Sequence, residues 1–136
     1  MMNYKYLILV VLWMASIFCL SSIPYLGHGI GGYHVQFQRE FAHIIAYGIL
    51  AFLMWCSFPK LDVNLFKKIL VCASLVLIYA ILDEVHQAFV PGRSGNIKGV
   101  VFDVIGIVAV LVWLGVRQRT VVRGRGLEEV PRSFPG

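Results

Sequence analysis

The stretch Ile69–Val90, ILVCASLVLIYAILDEVHQAFV, decides the fold. From Ile69 to Leu82 it carries no charge, and then Asp83, Glu84, His86 and Gln87 crowd its last turns. A hydrocarbon core of about 30 Å is crossed by about 20 residues of helix. The stretch has that length. Periodicity does not separate a short buried strand from a helix, but length does, and this is a helix length. A charge at a lipid-facing helix centre costs about 2.5–3.5 kcal/mol on insertion scales. The DEVHQ cluster therefore belongs inside a helix bundle, close to one membrane boundary.

Three more apolar runs lie outward from it: Tyr6–Ile23, Phe41–Phe58 and Gly99–Val116. Pro24–Gln38 carries Gly27, Gly29, Gly31 and Gly32; Pro59–Lys68 carries lysines; Pro91–Lys98 reads PGRSGNIK. These breaker-rich connections are short, so neighbouring helices run antiparallel. Of the 136 residues, 59% are hydrophobic and 14% charged. Soluble domains average about 45–50% apolar and about 25% charged. The expectation is an all-α, four-transmembrane-helix antiparallel bundle over residues 1–116. Residues 117–136 are expected to form a basic, disordered tail, because they are polar and punctuated by Gly and Pro. The first run resembles a signal peptide in position, but its charged leader is weak and its apolar stretch long, so an uncleaved helix is expected.

Charge sets the expected orientation. Lys60, Lys67 and Lys68 lie in the middle connection and Arg117, Arg119, Arg123, Arg125 and Arg132 follow the last run. With four spans these segments share a side, so the N- and C-termini should be cytoplasmic in a multi-pass protein of the cell membrane. The net charge of +5 then reads as topology and anionic-lipid contact, and nucleic acid is not an expected partner. Cys19, Cys56 and Cys72 sit in apolar runs without metal spacing and read as packed thiols.

The polar residues converge in depth. Arg39, His43 and Tyr47 share a face of the second helix at i, i+4 and i+8. Asp83, His86 and Gln87 share a face of the third, with Glu84 about 100° away. Asp103 falls one turn into the fourth, on a face with Gly99 and Gly106, where small residues allow close helix approach. At about 1.5 Å of rise per residue, His43, Asp83, Glu84, Gln87 and Asp103 all lie within about 12 Å of the outer boundary. Such a cluster either pins the bundle or serves a ligand, and it holds more polar groups than pinning needs. His28 and His34 read as solvated loop residues, and the tryptophans as interface or packing residues. HExxH, a P-loop and a triad around Ser94 are all absent. No cofactor and no metal centre is expected from local spacing.

The segment LDEVHQAFVPGRSGNIKGVVFDVIG, with RxxAHxxxY upstream, resembles the VanZ-like membrane proteins over roughly residues 10–116. The matching positions are Arg39, His43 and Tyr47; Asp83, Glu84, Gln87, Pro91, Gly92 and Arg93; and Asp103 and Gly106. This chain departs at Glu40, where many relatives have lysine, at Ala46, where many have glutamate, and at Gly99, where an acid is common. The resemblance implies a membrane location and cell-envelope involvement. The family takes its name from an accessory protein linked to teicoplanin-type glycopeptide resistance, and it supplies no reaction.

Two functions follow from the cluster. In the first, a membrane factor binds a lipid or a lipid-linked envelope precursor through Arg39, His43, Tyr47, Asp83, Glu84, Gln87, Arg93 and Asp103. The arginines would hold phosphate, oriented by Asp83, Glu84 and Asp103. In the second, an intramembrane hydrolase or transferase uses Glu84 or Asp83 as acid/base with His43 or His86 as partner, a divalent metal between them being a variant. A four-helix transporter is weaker, since no inverted repeat is visible. Ligand identity and homo-oligomer formation stay open.

Overall fold

The computed structural model describes residues 2–24, 32–59, 64–93, 95 and 97–128. It contains four helices: α1 (Tyr4–Ser21), α2 (Gly32–Ser57), α3 (Leu65–Gln87) and α4 (Ile97–Glu128). All four are long and apolar enough to cross a membrane. Their outward faces carry large apolar side chains such as Ile8, Leu12, Phe52, Leu70, Ile78, Val101 and Val112. In water this surface would be an aggregation hazard, and in a bilayer it is the lipid-facing shell.

The helix starts follow local chemistry. Asn3 caps α1 by accepting from the Lys5 amide (3.2 Å), and Asn64 caps α3 by accepting from the Lys67 amide (2.8 Å). Each satisfies an amide that the first turn leaves without a helical partner. Two helices outrun their apolar segments. α2 already begins at Gly32, so His34 lies in its first turn and not in a loop. α4 continues past Val116 to Glu128, so residues 117–128 are helical and not disordered. The basic residues after Val116 do not oppose a helix, and Gly124 and Gly126 lower its propensity without ending it before Glu128, since polarity limits insertion, not helicity. His28, Lys60, Ser94 and residues 129–136 lie outside the described residues.

α2 is the central helix and touches the other three, while α1 and α4 do not meet among the described residues. The α2–α4 contact is built on glycine. A Cβ at Gly106 would collide with the Ile44 carbonyl oxygen and stand 3.1 Å from the Gly48 nitrogen. The two backbones therefore touch, as the small-residue face of α4 leads one to expect. Tyr47, Leu50, Ala51, Cys72, Val76, Ala80, Ile107 and Leu111 fill the core around that contact.

α1 packs at the edge through Val10 and Ile17, which join the core, and polar contacts add to that packing. Trp13 Nε1 donates to the Ala46 carbonyl (2.9 Å) and Tyr79 OH donates to the Met14 carbonyl (2.6 Å). Trp13→Phe removes one of these bonds and keeps most of the ring volume. It should lower stability by about 0.6–2 kcal/mol, the usual worth of an interhelical hydrogen bond in a membrane bundle. Thermal denaturation in detergent checks this, and an unchanged midpoint would contradict it.

Candidate functional site

The ends of α1 and α3 and the early turns of α2 and α4 meet at one end of the bundle. Asp83 accepts from three of them. Its Oδ2 accepts from Ser21 Oγ on α1 (3.0 Å), Tyr47 OH on α2 (3.1 Å) and Gln87 Nε2 one turn along α3 (2.9 Å). Asp83, Tyr47 and Gln87 are all buried. The i, i+4 spacing of Asp83 and Gln87 makes the third bond nearly automatic in a helix.

Gln87 then passes the network to the arginines. Its Oε1 accepts from Arg93 Nη1 (3.1 Å) and from Arg39 Nη2 at the longer distance of 3.5 Å. Arg93 reaches this place through a tight turn. Pro91 presets its own backbone, Gly92 takes φ 76, and the Arg93 amide donates back to the Val90 carbonyl (3.0 Å). This is the type II pattern, which needs glycine at its third position. Arg93 also closes the end of α1: Nη2 donates to the Leu20 carbonyl (2.9 Å) and Nε to the Ile23 carbonyl (3.1 Å). A cation there suits the negative end of the helix dipole. Burial, and then the nearby Arg39 guanidinium, push the Arg93 pKa below its usual value.

The second half of the cluster lies between α2, α3 and α4. His43 Nδ1 is 2.9 Å from Asp103 Oδ1, and Asp103 is fully buried. Glu84 points toward the same place. One donor atom from each of His43, Glu84 and Asp103 lies within 4.8 Å of the others. The Glu84 carboxylate rests against Gly99, where a Cβ would stand 2.5–2.6 Å from its atoms. Gly99 thus makes room for a carboxylate arriving from α3. Arg39 Nε, Asp83 Oδ1 and Asp103 Oδ2 are buried without a hydrogen-bond partner among the described residues.

A cavity of about 340 Å³ opens between α1 and α2. Ile17, Leu20 and Ile23 give it an apolar wall, and Arg39, His43 and Arg93 give it polar groups. A mostly apolar cleft with a few convergent polar groups is the usual form of a small-molecule site.

All the residues expected at the site from sequence therefore stand together: Arg39, His43, Tyr47, Asp83, Glu84, Gln87, Arg93 and Asp103. Their wiring differs from the expectation in two ways. Gln87, and not Asp83 or Asp103, is the residue on which both arginines converge through the hydrogen bonds described. His86 is also separate. It stacks on Phe18 (ring centroids 4.4 Å apart) and its Nε2 is 2.9 Å from Ser22 Oγ, so it faces α1 and not the carboxylates. Ser21 was missed. As the last residue of α1 it looks like the ragged end of an apolar run, and only the neighbouring Ser22 hints at a polar junction. Lys68, expected as a loop cation, is buried on α3 with Nζ 4.0 Å from the Trp55 ring centre.

The model of the VanZ/LLP1 family matches residues 6–117, from the first turn of α1 into α4. No curated protein and no solved structure matches the chain.

Proposed function

The chain belongs to the VanZ/LLP1 family, and from that premise we propose a non-enzymatic membrane factor that binds the anionic head group of a lipid or lipid-linked envelope precursor. The observation that carries this is the convergence of two guanidinium groups, Arg39 and Arg93, on one Gln87 oxygen beside an apolar cavity. Two like charges so placed repel, and a phosphate between them relieves the repulsion and suits their planar donors. The apolar wall of Ile17, Leu20 and Ile23 favours a ligand with a hydrocarbon part over free phosphate.

On this reading the protein sits in the cell membrane with both termini cytoplasmic and the cavity in the outer leaflet. Lys67, Lys68 and Arg117 mark the other end. Any link to glycopeptide resistance would run through the capture or presentation of an envelope precursor there.

The test uses Arg39. Arg93→Ala would also uncap α1, so its failure would say little about ligands. Among the described residues Arg39 has a buried Nε without a partner and one long bond, so it has donors to offer. Native mass spectrometry of the gently solubilised chain should show a retained anionic lipid. Arg39→Gln should lower retention at least tenfold with the fold intact. Equal retention in both proteins would end the proposal.

A second reading, an intramembrane hydrolase or transferase, draws on His43, which lines the same cavity with Nδ1 held at Asp103. A carboxylate-oriented imidazole facing a substrate cleft is a general-base arrangement. Appearance of a cleaved lipid in the same spectra, absent for Glu84→Gln, would favour it.

A further inference from the structure

We infer that His43, Glu84 and Asp103 form a divalent metal site between α2, α3 and α4. The inference does not depend on the head-group proposal, because its ligands are two carboxylates and an imidazole and not the arginines. Three helices each deliver one donor atom, and these atoms lie within 4.8 Å of one another. His43 Nδ1 and Asp103 Oδ1 are 2.9 Å apart, a hydrogen-bond distance; they would part to about 3.4 Å to take two corners of a tetrahedron with bonds of about 2.1 Å. With its proton on Nε2, His43 offers Nδ1 as a ligand.

Three observations go beyond clustering. Asp103 is completely buried, yet its Oδ2 has no hydrogen-bond partner among the described residues. A buried carboxylate with an unused oxygen is costly unless a cation or donor meets it. Next, Gly99 leaves the recess in which the Glu84 carboxylate lies, and any Cβ there would fill it. Finally, the three ligands carry two negative charges, which match those of a dication.

The donor set selects the metal class. One imidazole and two carboxylates suit a first-row dication such as Zn²⁺, whereas Ca²⁺ takes six to eight oxygens, as a general rule. Three protein ligands also leave an open position for water or an anionic ligand. His43 lines the α1–α2 cavity and Glu84 lines a second cavity between α3 and α4, so the site lies between two approaches. Local spacing could not show this, because each helix supplies a single ligand.

The test titrates the untagged, chelator-stripped chain with Zn²⁺ in detergent and counts metal per chain after gel filtration. Wild type should bind one equivalent. Asp103→Asn should weaken binding at least a hundredfold. That variant alters a buried residue, so Gly99→Ala provides the second arm. Its methyl group displaces only the far end of the Glu84 side chain, and the protein should elute as wild type does while binding Zn²⁺ at least tenfold more weakly. No saturable Zn²⁺ in wild type would overturn the site, and so would wild-type affinity in both variants.

Discussion

Gly106→Val should leave little folded protein, with a loss of more than about 3 kcal/mol, at or beyond the upper end of ordinary overpacking in a well-packed interior. A Cβ at position 106 falls on the Ile44 carbonyl oxygen, 3.0 Å from the Ile44 carbonyl carbon and 3.1 Å from the Gly48 nitrogen. These are backbone atoms of a helix, so no rotamer change relieves the clash. α2 and α4 must separate instead. In lipid that separation is expensive in a particular way. Helix association there has no hydrophobic drive and depends on close packing and interhelical polar contacts. α2 also contacts every other helix, so the damage spreads beyond one interface. His43 and Asp103 lie close by on the same two helices, and their 2.9 Å contact would open as well. Gly115→Ala is the matched control. Its new Cβ would meet only the Ile69 Cδ1 at 3.1 Å and one more distant side-chain carbon, which can swing away, so its cost should stay within about 0.5 kcal/mol, as for ordinary tolerated substitutions. Denaturation midpoints in detergent compare them. Similar midpoints for Gly106→Val and Gly115→Ala would show that the α2–α4 contact is not glycine-dependent.

The contrast between legible and hidden features follows from what a helix repeats. Span length and depth depend only on rise per residue, so His43, Asp83, Glu84, Gln87 and Asp103 could be placed at one level without coordinates. The same repeat put Gly99, Asp103 and Gly106 on one face, and that face does meet α2 and Glu84. Rotation of each helix about its axis is set by packing, which no repeat encodes. His86 shows this. It lies i+3 from Asp83, on the shoulder of the same face, and the approach of α1 takes it to Ser22 and Phe18. Arg93 shows a second limit. The turn that carries it was legible as PGR, but its partners are the Leu20 and Ile23 carbonyls at the end of α1, seventy residues or more away in sequence. Apolar runs also mark membrane-spanning segments and not helix ends, which is why α2 starts before its run and α4 outlasts its own.

Asp83→Leu should cost about 2–4 kcal/mol, and Asp83→Asn no more than about 1 kcal/mol. The estimate starts from three hydrogen bonds to one oxygen, each worth roughly 0.6–2 kcal/mol in a membrane bundle. Leucine removes the acceptor and strands the Ser21, Tyr47 and Gln87 donors in a buried site, and a stranded buried donor costs about 1–3 kcal/mol. Asparagine keeps an oxygen where Oδ2 stands, loses the charge and puts an NH2 group where Oδ1 stands. The two variants therefore separate acceptor geometry from charge. The loss should also travel. Gln87 is oriented by its bond to Asp83, and Gln87 Oε1 is the point on which Arg39 and Arg93 converge. With leucine the amide is free to turn, so α1 loses both its Ser21 tether and the alignment of the Arg93 cap. Crosslinking between α1 and α3 should then fall even in molecules that remain folded, while the His43–Asp103 side should be nearly unaffected. Equal destabilisation by leucine and asparagine would mean that Asp83 acts through its charge, and would shift the role of the cluster from a hydrogen-bonded junction to an electrostatic one.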